Sequence, residues 1–89
     1  MSENKIPGLA LYHFARCPYC VYVRDAIKDL GIEIEERDIL QDREAEAELQ
    51  AARGRTTVPV LRIEEDGKPA HWMPESRDIA AYLKDRFGK

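Results

Sequence analysis

The order of hydrophobic and polar residues in the first forty positions alternates between the periods of strands and helices. The apolar run at residues 9–14 is short enough for a buried strand. From Pro18 onward apolar residues recur at helical spacing, which predicts a helix that ends at Gly31. Residues 32–39 then alternate loosely between apolar and acidic, which predicts a half-exposed strand. The apolar face of the predicted helix consists of Val23, Ala26, Ile27 and Leu30.

The second half of the chain predicts two more helices and a pair of strands. Residues 42–53 are rich in Glu and Ala and stop at Gly54, which is typical of a helix. The apolar side of this helix is predicted to consist of Ala45, Leu49 and Ala52, and the last helix is predicted to turn Ile79, Ala80, Leu83 and Phe87 inward. The remaining pattern predicts a strand at 58–63, a hairpin turn at 65–68, a short edge strand at 70–72 and a helix at 76–87.

This order of elements, βαβαββα, predicts an α/β protein with a four-stranded mixed sheet. A parallel βαβ unit followed by a hairpin and a final helix places helices on both faces of the sheet. A chain of 89 residues is long enough for one domain with a modest core. We therefore expect a single domain over 1–89, with a disordered or loosely held N-terminus at about residues 1–7.

Composition and charge exclude several classes of function. The formal net charge is -3, so the protein has no global basic field and we expect no nucleic-acid partner. The N-terminal segment lacks the patterns of signal and transit peptides, and no apolar run approaches the roughly 18 residues of a membrane span. We therefore expect a cytoplasmic monomer without a membrane partner. In that reducing compartment a permanent disulfide is the weakest interpretation of the two cysteines.

Both cysteines lie in the segment Cys17-Pro18-Tyr19-Cys20, at the predicted junction of strand and helix. Pro18 suits the first helical position, which makes Cys17 the expected N-cap. A thiolate there can accept N–H bonds and lies at the positive end of the helix dipole, and Arg16 adds to this effect. Cys20 is placed to attack a mixed disulfide formed at Cys17. We therefore assign Cys17 as nucleophile and Cys20 as resolving thiol.

A metal site and an inert pair are the competing interpretations of these cysteines. Structural zinc needs four ligands, and the other soft candidates are His13 and His71, neither at finger-like spacing. We expect no metal, and we interpret His13 as a strand histidine satisfied by its neighbours.

Two later segments could bind a peptide-like ligand. The bond before Pro59 can be cis or trans, and a cis bond would leave the backbone of Val58 free to pair with an extended peptide. Ahead of the last helix, backbone N–H groups and the Ser76 hydroxyl could bind a carboxylate, and Glu75 could meet an ammonium group. Taken alone, this segment favours a plain helix cap, which is the competing interpretation of Glu75 and Ser76.

Cys17-Pro18-Tyr19-Cys20, together with Thr56-Thr57-Val58-Pro59 on this element order, resembles a dithiol glutaredoxin of the thioredoxin fold, over 9–87. The resemblance implies that Val58-Pro59 is cis and that the Val58 backbone pairs with the cysteinyl part of glutathione. It also implies that Tyr19, Thr57 and Pro59 lie along the glutathione groove.

The segment Met73-Pro74-Glu75-Ser76 is more similar to the N-terminal domain of glutathione transferases and to transferase-like bacterial glutaredoxin. In those proteins a Glu-Ser pair binds the γ-glutamyl end of glutathione, a role that the resemblance carries over to Glu75 and Ser76. Many glutaredoxins have a lysine where this chain has Phe14, so the glycyl carboxylate of glutathione is expected to pair with Arg16 or Arg55.

The resemblance implies a glutathione-dependent thiol-disulfide oxidoreductase that reduces protein–glutathione mixed disulfides and protein disulfides. Its partners are then glutathione, as co-substrate, and glutathionylated or disulfide-containing proteins, and no cofactor is bound permanently. One alternative is a thioredoxin-like redoxin fed by a reductase. Another is a binding module that holds a [2Fe-2S] cluster through Cys17 and glutathione.

Overall fold

The computed structural model describes residues 5–65 and 67–88. Their elements follow the predicted order, so the α/β class and the arrangement βαβαββα are confirmed. The elements are β1 (Lys5–His13), α1 (Pro18–Asp29), β2 (Glu33–Asp38), α2 (Arg43–Arg53), β3 (Val60–Ile63), β4 (His71–Met73) and α3 (Ser76–Phe87).

The four strands form one mixed sheet in the order β2-β1-β3-β4. Strand β1 runs parallel to β2 and antiparallel to β3, and β3 is antiparallel to β4. Leu11 lies opposite Glu36 on one side and Leu61 on the other, so β1 is an inner strand with neighbours along both edges. Cys17 follows four residues after β1 ends, which places it at the carboxyl end of an inner strand.

Successive side chains of β1 point to opposite faces of the sheet and build two separate cores. Leu9 and Leu11 pack with α1 and α3 on one face, whereas Ala10 and Tyr12 pack with α2 on the other. The first core consists of Leu9, Leu11, Val23, Ile27, Ile34, Leu61, Ile63, Ile79 and Leu83. The second consists of Ala10, Tyr12, Ile39, Ala45, Leu49 and Val60.

The core on the α2 face ends in a polar network around the buried phenol of Tyr12. The Tyr12 hydroxyl donates to Glu48 Oε1 at 2.8 Å and accepts from Arg62 Nη1 at 2.7 Å. Arg37 Nη1 pairs with the same Glu48 oxygen at 2.8 Å, and the Trp72 ring lies 5.2 Å from the Tyr12 ring. Burial, followed by the hydrogen bond to Glu48, raises the pKa of Tyr12 to about 12. The phenol therefore stays protonated and ties β1 and β3 to α2.

Helix α2 has a clear signal at each end. The side chain of Asp42 accepts hydrogen bonds from the backbone N–H groups of Glu44 (3.0 Å) and Ala45 (3.2 Å), which is a regular N-cap. At the other end Gly54 adopts a left-handed conformation with φ of 74°, and its N–H donates to the Gln50 carbonyl. The chain thus leaves the helix at a fixed angle, toward the segment that precedes β3.

The structure corrects several predicted boundaries. Residues 5–7, expected to be loosely held, begin strand β1, while residues 1–4 lie outside the described residues. Val58 and Pro59 precede β3, and the edge strand lies one residue later than predicted, at His71–Met73. Ala52 is exposed, so α2 buries Ala45 and Leu49 alone of the predicted three, and Asp66 of the predicted turn lies outside the described residues.

Strand β1 continues N-terminal to its apolar run because Gly8 permits an irregularity there. The register with β2 shifts between Lys5 and Ala10, and Gly8 has a φ of 83°. The Gly8 carbonyl accepts the Glu64 N–H at 2.7 Å, and a β-carbon at Gly8 would overlap the Glu64 carbonyl oxygen. No helix among residues 5–65 and 67–88 is both long and apolar enough to cross a membrane.

We expect Gly8→Ala to lower the free energy of unfolding by about 3 kcal/mol in urea denaturation. A left-handed backbone costs an alanine about 1–2 kcal/mol, and relieving the overlap with Glu64 costs a similar amount. Gly31→Ala is the matched control, because Gly31 has a φ of 70° but nothing within 4 Å of its β-carbon position. Its expected loss is about 1 kcal/mol. Equal losses in the two variants would show that the contact with Glu64 contributes nothing.

Candidate active site

Cys17 is the N-cap of α1, as predicted. Its backbone is extended, with φ of −71° and ψ of 118°, and Pro18 opens the helix. The Cys17 N–H donates to the Phe14 carbonyl at 3.2 Å, and its carbonyl accepts the Val21 N–H at 3.0 Å. The first turn of α1 carries no acidic side chain, so the positive end of the helix dipole acts on Cys17 unopposed.

The predicted cap bond to sulfur is absent, because no first-turn N–H donates to the Cys17 side chain. The partner of this sulfur is instead the thiol of Cys20, which donates a hydrogen bond to it. Both thiols are free, with 7% of Cys17 and 0% of Cys20 exposed to solvent. No disulfide joins the two sulfurs in this structure, and Cys17 is the more accessible of the two.

The Cys20 thiol is difficult to ionise. The pKa of the Cys20 thiol is raised to about 12, chiefly by burial and in part by the hydrogen bond that it donates to Cys17. A backbone hydrogen bond from Phe14 and the charge of Arg24 lower the pKa of Cys20 in part. Cys20 thus holds its proton at neutral pH.

Beside the dithiol lies a groove of ≈ 650 Å³ built from three segments that are distant in sequence. It brings together every predicted glutathione-binding residue except Arg16, which is exposed and does not line it. The predicted residues that line the groove are Tyr19, Arg55, Thr57, Val58, Pro59, Glu75 and Ser76. Tyr19 joins this groove to the cysteine pair and is 66% exposed.

The floor of the groove includes the bond between Val58 and Pro59, which is cis, as the resemblance to glutaredoxins implies. Pro59 is buried and Val58 is half-buried. Within residues 5–65 and 67–88 neither Thr57 nor Val58 takes part in a backbone hydrogen bond. This stretch therefore offers its backbone N–H and C=O groups to an extended ligand in the groove.

The start of α3 forms another wall of the groove. Glu75 rather than Ser76 occupies the N-cap position, and its carbonyl accepts the Ile79 N–H at 2.8 Å. The Glu75 side chain makes no cap hydrogen bond, so a plain helix cap does not explain this carboxylate. Its exposed oxygens are available to a cationic group, and the N–H groups of the first turn favour an anionic one.

Four residues of the groove were missed by sequence reasoning: Arg53, Pro74, Arg77 and Asp78. Arg77 and Asp78 follow Ser76 in the first turn of α3, so their proximity to a predicted binding residue was an available signal. Arg53 is different because it is the last residue of α2, and an arginine on a helix is usually expected to be exposed to solvent. Its Nε is buried without a hydrogen-bond partner among the described residues. The left-handed Gly54 lies between Arg53 and Arg55, so both arginines reach the groove from either side of one turn.

Among the described residues no group of three or more His, Cys, Asp or Glu side chains is arranged to hold a metal ion.

Two sequence comparisons connect the chain to glutathione-related proteins. The family model for the glutathione S-transferase N-terminal domain matches residues 11–89. A curated glutaredoxin of Pseudomonas aeruginosa PAO1 is 33% identical over 60 residues, which cover 67% of this chain and 71% of that protein.

Solved structures of longer proteins share this fold. A maleylacetoacetate isomerase from Anaeromyxobacter dehalogenans 2CP-1, solved with glutathione in its active site, is 32% identical with a TM-score of 0.69. The match covers 91% of this chain and 38% of the isomerase. The trimeric glutathione transferase TDR1 of Leishmania is 26% identical with a TM-score of 0.72, over 89% of this chain and 18% of its own. This chain thus spans less than two fifths of either structure, and it belongs to the glutathione S-transferase N-terminal domain family, with a glutaredoxin relative and the thioredoxin fold.

Proposed function

We propose that this protein is a glutathione-dependent thiol-disulfide oxidoreductase, with Cys17 as nucleophile and Cys20 as resolving thiol. The observation that carries the proposal is a pair of free, buried cysteines at a helix start, next to a groove that suits a tripeptide. Its substrates are glutathionylated proteins and protein disulfides, and its reductant is glutathione. A reducing compartment such as the cytoplasm would supply that reductant.

Removal of glutathione from a protein needs one cysteine. The Cys17 thiolate attacks the glutathione sulfur of the mixed disulfide, so a bond between these sulfurs forms and the protein leaves as a thiolate that takes up a proton. The thiolate of a second glutathione then attacks the glutathione sulfur held on Cys17. Oxidised glutathione forms, and the Cys17 thiolate is restored.

Reduction of a protein disulfide needs both cysteines. Cys17 attacks one substrate sulfur and forms a mixed disulfide, and the other substrate sulfur leaves as a thiolate. Cys20 loses its proton and attacks Cys17, which releases the second substrate sulfur and leaves a Cys17–Cys20 disulfide. Two glutathione molecules reduce this disulfide and become oxidised glutathione.

The groove offers a partner for each part of glutathione. The cysteinyl part would pair with the unbonded backbone of Val58, which directs its sulfur toward Cys17. The γ-glutamyl end carries an ammonium and a carboxylate, which suit the Glu75 carboxylate and the N-terminus of α3 at Ser76. The glycyl carboxylate would pair with Arg53 or Arg55, both of which line the groove, rather than with Arg16.

The presence of two neighbouring cysteines favours a redox reaction rather than a transferase or isomerase reaction. Both of those reactions need a glutathione groove, and glutathione transferases and an isomerase are among the similar structures. Neither reaction has a use for a second, fully buried cysteine that donates its thiol hydrogen bond to the first. Thiol-disulfide exchange needs that second cysteine whenever the substrate is a protein disulfide.

We expect Cys20→Ser to retain turnover of a small glutathione mixed disulfide and to lose turnover of a protein disulfide. Cys17→Ser is expected to lose both, because it removes the attacking sulfur. Coupling the release of oxidised glutathione to NADPH consumption by glutathione reductase measures both reactions. Equal losses in the two variants on the small substrate would overturn the assignment of nucleophile and resolving thiol.

We expect Arg53→Gln and Arg55→Gln, singly or together, to raise the KM for glutathione. A charged hydrogen bond is worth about 1.5–3 kcal/mol, so loss of the residue that binds the glycyl carboxylate should raise KM at least about tenfold with a smaller change in kcat. Arg43→Gln, at the opposite end of α2, is the matched control and should leave KM within about twofold. A tenfold rise in Arg16→Gln instead would return the role to Arg16.

A further inference from the structure

The resolving step places negative charge on a sulfur that water does not reach. Cys20 is 0% exposed, yet it must become a thiolate when it attacks Cys17, and again when glutathione opens the Cys17–Cys20 disulfide. A buried, unpaired anion is costly, because desolvation opposes the charged form. A positive charge near this cysteine would offset part of that cost.

Arg24 lies where such a group is needed. It follows Cys20 by four positions on α1, so the two side chains project from the same side of the helix. Arg24, which is half-buried, donates from Nη2 to the Ala15 carbonyl at 3.3 Å, and this bond anchors the guanidinium to the loop that joins β1 to Cys17. Its Nε is buried and has no hydrogen-bond partner within residues 5–65 and 67–88. One hydrogen bond thus holds the guanidinium in place, and its Nε–H group remains available to another acceptor.

Arg24 is the source of positive charge near Cys20, because the nearby histidine, His13, is uncharged. His13, at the end of β1, is 5% exposed, and its Nε2 lies 3.6 Å from Glu36 Oε1 on β2. Burial lowers the pKa of His13 below its usual value, and Arg24 lowers it too, against the opposing effects of Glu36 and Asp38. His13 is therefore neutral at neutral pH. The charge of Arg24 lowers the pKa of both His13 and Cys20, so it is near enough to affect both groups.

The effect of Arg24 on the ionisation of Cys20 should be largest in the mixed disulfide between Cys17 and glutathione. In the reduced pair, a hydrogen bond and a charge interaction with Cys17 both hold the proton on Cys20. Once Cys17 is bonded to glutathione it carries no negative charge, and both contributions disappear. Burial of Cys20 then opposes ionisation, while Arg24 and the Phe14 backbone favour it.

We propose that Arg24 is a positioning residue for the resolving step, which stabilises the Cys20 thiolate as it attacks Cys17 and as it leaves. This rests on the proposed function. In the forward step Cys20 loses its proton and its sulfur bonds to the Cys17 sulfur, while the bond from Cys17 to glutathione breaks. The departing glutathione thiolate takes up a proton, so no further oxidant or reductant is needed.

The test follows the two steps separately in the full chain. Reduced protein is mixed with oxidised glutathione and quenched with acid at intervals, and mass spectrometry then counts the mixed disulfide and the Cys17–Cys20 disulfide. In Arg24→Gln we expect the second step to be about three- to tenfold slower. A pKa rise of about one unit in Cys20 would lower the thiolate fraction tenfold, and part of that loss is regained because a more basic thiolate is a better nucleophile.

Two further measurements distinguish an electrostatic role of Arg24 from a structural one. Arg24→Lys keeps the charge and should recover most of the rate, and the logarithm of the rate should rise with pH in parallel for wild type and Arg24→Gln. Lys28→Gln removes a positive charge one turn further along α1 and is the matched control, with both steps expected to keep the wild-type rate. Arg24→Met, which retains the length of the apolar stem, is a second uncharged variant in case Arg24→Gln does not fold.

The outcomes distinguish this proposal from the function on which it rests. If wild-type protein forms no mixed disulfide with oxidised glutathione, the proposed function fails. If wild type forms it but an uncharged Arg24 variant resolves it at the wild-type rate, the role of Arg24 alone is wrong. A slow second step that Arg24→Lys does not recover, or an equal slowing of both steps, would also overturn the role of Arg24.

Discussion

The burial of β1 on both faces and along both edges is the constraint on which the rest of the structure depends. Leu11 and Tyr12 are each 0% exposed, although they point to opposite faces of the sheet. A strand with β2 on one side and β3 on the other has no freedom to slide, because a shift of one residue would exchange the two cores. The position of Cys17, four residues beyond this strand, is therefore fixed by the packing of the whole domain.

The two faces of the sheet serve different purposes. On the α2 face, Tyr12 joins a carboxylate and two arginines into one hydrogen-bonded network, which holds α2 and so the turn that carries Arg53 and Arg55. On the opposite face, α1 brings Cys20 and Arg24 over the end of β1. Rigid packing on one side thus supports the groove, and on the other side the half-buried Arg24 accompanies Cys20 on α1.

The groove itself depends on charges that are local rather than global. The protein carries a net charge of -3, but the groove is lined by three arginines and two acidic residues. A tripeptide with two carboxylates and one ammonium group suits this mixture better than a uniformly anionic ligand does. The backbone groups of Val58, which make no backbone hydrogen bond among the described residues, would also orient the ligand, because an extended ligand can pair with them in one register.

The sequence alone determined the element order, the cysteine pair at the start of a helix and most of the groove residues. These depend on local signals: the period of apolar residues, Pro18 at the first helical position, and two short segments before β3 and α3. Tertiary structure decided what local signals do not carry. From the sequence, Arg53 is expected on the exposed surface of a helix, but the turn at Gly54 and the packing of α2 bring it into the groove. Arg16, adjacent to Cys17 in sequence, does not line the groove, whereas Arg24, four positions beyond Cys20, donates to the Ala15 carbonyl in the loop before Cys17. Sequence distance along a helix does not measure distance in space, and only the folded chain fixes which charge lies next to each sulfur.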